Sequence, residues 1–244
     1  VKTWQWLAVG AGGVGLFLLT TDKGQEIRTA AKDTVLGGGT EVVPTADLLT
    51  AAGVPSSITP DDLVPVAEYA TLNSPLRWAM FIAQVGAESN FQPVAESLNY
   101  SAEALVKTWP TRFPTLADAQ VVARNEQAIA ARVYDGRMGN GEGEGFLFRG
   151  RGFIQLTGKD NYRAAGNSLG LDLVSDPDIV LQPAVAALTA AWFWKKKMLN
   201  GPADRGDIER ATYLINGGQT HIEERTRRYN RALVALTGDS LAVS

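Results

Sequence analysis

Cysteine is absent from the 244 residues, and histidine occurs once, at His221. The first absence removes disulfide frameworks, thiolate nucleophiles and cysteine-ligated metals, and leaves the chain compatible with a reducing or an oxidising compartment. The second removes multi-histidine zinc sites and leaves any serine-histidine arrangement to a single residue. Charge of one sign is also missing. With 23 basic against 26 acidic residues the formal net charge is -3, there is no broad basic surface, and a nucleic-acid partner is disfavoured. No internal repeat is visible. What remains is an ordinary globular composition, 45% hydrophobic and 20% charged, whose chemistry must rest on carboxylates, amides and hydroxyls.

The run WQWLAVGAGGVGLFLL at residues 4–19 carries no charged side chain and is the one membrane candidate. It is shorter than the roughly 20 residues of a spanning helix. The pairs Ala8/Gly12 and Ala11/Gly15 would let a second helix approach closely, and Trp4 and Trp6 suit an interface. A cleavable signal region and a buried apolar helix are the alternatives. This divides the chain into a hydrophobic anchor or signal-like segment (1–21), a polar stalk with a Gly37-Gly38-Gly39 linker (22–43) and a soluble domain (44–244). Apolar spacing predicts helices near 61–72, 75–88, 101–108, 115–131, 183–199, 205–215 and 221–237, and hence a mainly α fold. Thr59-Pro60-Asp61-Asp62, Ser74-Pro75 and Ser101-Ala102-Glu103 supply start signals, whereas Phe153-Ile154-Gln155-Leu156 reads as a short β or extended piece.

Two carboxylates draw attention. Glu88 follows Val85 by three residues on a helix whose Trp78, Phe81, Ile82 and Val85 form an apolar face, so partial burial is expected, which would favour a protonated general acid. Pro93 stops that helix and places Glu96 on a returning loop, able to face Glu88 across a groove. Spacing alone is weak, since glutamates eight apart are mostly surface residues. The stretch GRMGNGEGEGFLFRGRGFIQLTGKDNY (136–162) adds glycines for close backbone approach, with Arg149, Arg151, Gln155, Thr157, Asn161 and Tyr162 as a vocabulary for sugar hydroxyls and acetamides. It lacks the spacing of a phosphate loop, and Asp160 stands where Ser or Thr is required. Asn216, in YLINGG, ends a helix beside flexible backbone and can bind substrate or simply stop the helix.

Together AQVGAESNFQPVAESLNYSAEAL, RVYDGRMGNGEGEGFLFRGRGFIQLTGKDNY, AAWFWKKKMLN and TYLINGGQTHIEERTRRYNRAL resemble the glycoside hydrolase family 19 domain, the class I chitinase-like fold, in its phage and bacterial endolysin form. The resemblance runs from about Leu76 to Leu236. It implies a lysozyme-like, two-lobed α-rich domain with a central cleft and inverting hydrolysis of β-1,4 bonds next to N-acetylated sugars. Glu88 is the implied general acid and Glu96, in ESLNYS, the implied base. Thr157 is implied to hold the attacking water, Gln155 and Asn161 to position water and substrate, and Tyr162, Asn216 and Arg151 to contact the glycan. An inverting pair sets its carboxyls ~6.5–9.5 Å apart, against ~5 Å for retention. Two departures stand out: Ala87 replaces a frequent histidine, and the link from Glu88 to Phe91 is one residue short.

The same resemblance, through the endolysin-like ESLNYS and VYDGRMGN blocks and the lack of plant-type cysteines, implies bacterial peptidoglycan over chitin as substrate, so the expectation is a muramidase-like enzyme for host lysis or wall penetration by a phage. A chitinase, a lytic transglycosylase outcome and a noncatalytic glycan-binding virion protein are the competitors. The hydrophobic run would tether the enzyme to the inner membrane, release it in the periplasm or fix it in a virion. Neither a metal nor an organic cofactor is implied, because a carboxylate pair suffices. Trp192 and Trp194 read as core and cleft floor, Lys195-Lys196-Lys197 as solvated charge, and His221 as structural. Asp135, Glu142 and Glu144 read as part of a mobile exposed loop.

Overall fold

The computed structural model describes residues 43–238. The hydrophobic run at 4–19 and the stalk and linker up to residue 42 lie outside them. Among the described residues no helix is long and apolar enough to cross a membrane. Helices account for the regular structure: α1 (Ala46–Ala52), α2 (Pro60–Ala70), α3 (Pro75–Ser89), α4 (Ala102–Thr108), α5 (Leu116–Gln120), α6 (Glu126–Tyr134), α7 (Lys159–Leu169), α8 (Pro183–Lys196), α9 (Asn200–Asp204), α10 (Ile208–Asn216) and α11 (Ile222–Thr237), with a 3-10 turn at Pro177–Leu181; α1, α7 and α9 fall outside the spans that the periodicity predicts.

The start signals act as expected. Thr59 and Asp62 form a reciprocal capping box on α2, and the Ser74 and Ser101 hydroxyls accept from Arg77 N–H and Ala104 N–H. The helix predicted over 115–131 is instead two, because Arg124 takes a left-handed φ of 64° and Asn125 caps a fresh start by accepting from Ala128 N–H. The span 183–199 likewise stops at Lys196, before Met198 at φ 54°. Phe153–Leu156 is a turn, not a strand: Gly152 and Gln155 both have positive φ, and isolated bridges pair Arg151 with Leu156 and with Ala95.

Two compact units emerge. The first comprises the described residues up to Ala87 and those from Trp194 onward; the second is Glu88–Phe193. In the first, Phe81 packs edge-on between Trp78 and Trp194 at centroid distances of 6.2 and 5.4 Å, and the Arg231 guanidinium of α11 donates to Ala51 O at the end of α1. A buried polar chain crosses this unit: Arg225 donates to Gln84 Oε1 (2.6 Å), and Gln84 Nε2 donates to Thr212 Oγ1 (3.1 Å). In the second, Leu98, Leu105, Phe113, Ala119, Ile129 and Val133 close an apolar core beneath α4, α5 and α6.

Candidate active site

Within the second unit the site grows out of how the chain leaves α3. Asn90 and Phe91 take consecutive left-handed φ values of 49° and 58°, and the Phe91 ring is buried against Phe153, 5.9 Å centroid to centroid. This anchored reversal carries Val94–Glu96 alongside Gly150–Gly152. Gly152 N–H donates to Val94 O (3.1 Å) and Glu96 N–H to Gly150 O (2.8 Å). Glu96 therefore sits on the expected loop, half-buried and fixed in its backbone. Gly150 N–H also approaches its carboxylate (3.4 Å to Oε2), while the Tyr134 hydroxyl lies 2.9 and 3.0 Å from the two oxygens and donates across them. Burial, reinforced by the Glu96 charge, pushes the Tyr134 phenol far above its ordinary range, so that it remains a donor.

Gln155 adopts φ 53°, a costly conformation for a residue with a β-carbon. Its amide holds the turn by donating to Val94 O and Gly152 O, both at 3.1 Å. That leaves Oε1 as the end of Gln155 with acceptor capacity. The Thr157 hydroxyl donates to Gln155 O (2.8 Å), so its lone pairs are what it presents to a ligand. Both side chains crowd Gly150: a β-carbon there would meet Gln155 Oε1 at 2.8 Å and Thr157 Oγ1 at 3.2 Å. Asn161, in the first turn of α7, donates to Thr157 O (2.8 Å). Glu96, Gln155, Thr157 and Asn161 thus form one connected group around Gly150.

Other assignments come out differently. Arg151 is only 2% exposed, pairs with Asp178 (2.7 Å) and donates to Leu147 O, Arg149 O and the Tyr162 hydroxyl. Tyr162 is fully buried edge-on against Phe148 and donates to Arg149 O, its phenol pushed up to about 12 by burial. In place of the expected glycan contacts, both side chains are buried and hold the 147–151 backbone by donating to Leu147 O and Arg149 O. Glu88, expected to be partly buried, is exposed: the buried run of α3 ends at Gly86, one turn short of where the helix itself stops. Asn216 is exposed in the first unit, at the end of α10, accepting from Gly218 N–H (3.0 Å).

The glycine-rich loop also departs from the sequence reading. Asp135 accepts from Gly143 and Gly145 N–H, and Glu144 accepts from Gly141 N–H and pairs with Lys159, so the loop is laced to its own carboxylates. Two of its glycines are needed for close packing, Gly139 against Asp160 and Gly145, whose β-carbon would lie 2.6 Å from Ala130 O and from Asp135 Oδ1. Tyr134 and Gly150, which the structure brings to the Glu96 carboxylate, were not singled out in the sequence. Tyr134 had one faint signal, an aromatic closing a helix just before Asp135-Gly136. Among the described residues no group of three or more His, Asp or Glu is placed to hold a metal ion.

Against known proteins, the class I chitinase family model matches residues 111–209. A Haemophilus influenzae protein described as glycosyl hydrolase family 19 domain-containing is 40% identical over 168 residues, covering 67% of this chain and 82% of the relative. The acidic 27 kDa endochitinase of Solanum lycopersicum is 48% identical over 135 residues, covering 43% of this chain; the chain spans about half, 54%, of that relative's length. Among solved structures, chitinase C from Streptomyces griseus superposes with a TM-score of 0.55 at 21% identity, covering 82% of this chain and 95% of its own, a likeness of fold.

Proposed function

This chain belongs to glycoside hydrolase family 19, and on that premise we propose that it hydrolyses the β-1,4 bonds of bacterial peptidoglycan as an endolysin-type, inverting glycosidase. The observation that carries the reading is the convergence of the Glu96 carboxylate, the Thr157 hydroxyl and the Gln155 amide on Gly150. A water donating one hydrogen to Glu96 and the other to Thr157 Oγ1, whose own proton is committed to Gln155 O, would keep an oxygen lone pair free for the anomeric carbon. Glu96 takes the proton as that water attacks. Gln155 Oε1 accepts from a sugar hydroxyl or an acetamide N–H. Glu88 protonates the leaving oxygen; it is exposed in the free protein, so the bound glycan is what excludes water from it.

Peptidoglycan is preferred to chitin on the ESLNYS and VYDGRMGN blocks and the absence of cysteine. A second reading, chitinase, is favoured by the relatives whose names carry that activity. Mass spectrometry of products from purified peptidoglycan and from chitin oligomers separates the two, with Glu88→Gln alongside. Reducing-end muramic acid products, lost in the variant, are expected. Chitin products alone would make the enzyme a chitinase, anhydro ends would make it a transglycosylase, and lysis persisting in Glu88→Gln would remove the acid assignment.

A further inference from the structure

Glu96 is a base only if its carboxylate points at the water it activates, and a glutamate has three side-chain torsions with which to miss. We infer that Tyr134 is the positioning residue for Glu96, aiming its carboxylate through a shared hydroxyl donation, and that the glycine-rich loop 135–145 exists to hold Tyr134 in place. The inference rests on the assignment of Glu96 as base and extends it to a residue and a loop outside the expected site.

The hydroxyl of Tyr134 lies almost equally far, 2.9 and 3.0 Å, from both carboxylate oxygens, which fixes the carboxylate plane rather than one oxygen. Gly150 N–H approaches Oε2 from the other side of the loop. With two donors in place the carboxylate keeps lone pairs for one water and loses its freedom to swing. Tyr134 itself is held from behind. It closes α6, where its carbonyl accepts from Asn140 Nδ2 (3.0 Å), and Asn140 Oδ1 accepts from Lys159 N–H (2.8 Å) at the start of α7. Asn140 is buried, Gly136 N–H donates to its carbonyl (3.0 Å), and Asp160 N–H donates to Met138 O (2.9 Å). Asp135, the very next residue, binds the amides of Gly143 and Gly145. The loop is therefore a buttress running from α7 to the C-terminus of α6. Its closest packing falls where it meets that frame: a β-carbon on Gly139 would overlap the Asp160 carboxylate of α7, and one on Gly145 would lie 2.6 Å from Ala130 O of α6.

Steady-state kinetics of the full chain on soluble peptidoglycan fragments test this. Tyr134→Phe, which removes one oxygen and preserves the ring packing, should lower kcat by about 10- to 100-fold and leave KM within about twofold, the pattern of lost transition-state geometry. In a Glu96→Asp background the carboxylate is drawn back by one methylene and no longer meets the phenol, so Tyr134→Phe should then cost less than about twofold. An unchanged kcat, a rise in KM alone, or the same loss in the Glu96→Asp background would overturn the inference, because the tyrosine would then act elsewhere. Full activity of Glu96→Gln would instead overturn the assignment of the base. Should Tyr134→Phe fail to fold, fluorinated tyrosines incorporated at position 134 keep the hydroxyl and vary its donor strength; kcat should follow that strength, and a flat series would sink the role.

Discussion

At the scale of single residues, the same chemistry that singles out a polar side chain in sequence does not tell whether it faces a ligand or the interior. Glu96, Gln155 and Thr157 were singled out because their types suit a glycosidase and their motifs resemble the family's, and the structure brings all three to Gly150. Arg151 and Tyr162 were equally prominent and turned out to be buried support, a distinction that composition cannot make. Their burial has a measurable consequence. Tyr162 ionises at 10.0 in an unfolded chain and near 12 in the folded one. A raised phenol pKa means that its contribution is complete below pH 10 and is lost as pH climbs toward 12, when the unfolded chain releases a proton that the native one retains. The loss amounts to about 3 kcal/mol. Urea titrations between pH 9 and 12 should show stability falling steeply in the wild type and more gently in Tyr162→Phe. Parallel slopes would mean that the phenol is not titrating as its burial demands.

At the scale of elements, a hydroxyl cap marks a helix in the sequence only where a clear apolar period follows it: α1, capped by Thr45, went unpredicted, whereas α11 was predicted from its period although His221 gives it no side-chain cap. Predicted starts at Thr59, Ser74 and Ser101 are all present. Helix α7 went unpredicted because it starts after Gly158 at φ 88° with no side-chain cap, so neither the hydroxyl signal nor a clear apolar period marks it. The pairing of 94–96 with 150–152 was invisible for a different reason: it joins segments more than fifty residues apart and depends on one missing methyl group. Gly150→Ala would drive a β-carbon into Gln155 Oε1 and Thr157 Oγ1, two side chains already tied to backbone carbonyls. At least about a tenfold loss of kcat is expected from this misplacement. The unfolding free energy should move by under about 2 kcal/mol, since the overlap falls on side-chain ends. A variant that unfolds without losing turnover would show that Gly150 is needed by the fold and not by the site.

For the whole molecule, amphipathic periodicity foretold a mainly α architecture but carried no information on which distant helices share a core. The Arg225, Gln84 and Thr212 chain is an example, linking α3, α10 and α11 across more than 120 residues through groups that look like ordinary polar surface in the sequence. Gln84→Leu removes an acceptor from a buried guanidinium and a donor from Thr212, and should destabilise by about 2–3 kcal/mol in chemical denaturation. A loss below about 0.5 kcal/mol would mean that this chain of contacts is not what fastens the first unit. The partition of the chain also bears on how the protein is made. The second unit is one uninterrupted stretch, Glu88–Phe193, and one apolar cluster within it draws its buried residues from Leu98 to Val133, close together in sequence. The first is written in two instalments, with α1 fastened to α11 only after some 180 intervening residues have been synthesised. A ribosome delivers Glu96, Tyr134 and the loop after it long before it delivers the helices that complete the first unit's core, so the second unit can assemble while the first still waits for its second instalment.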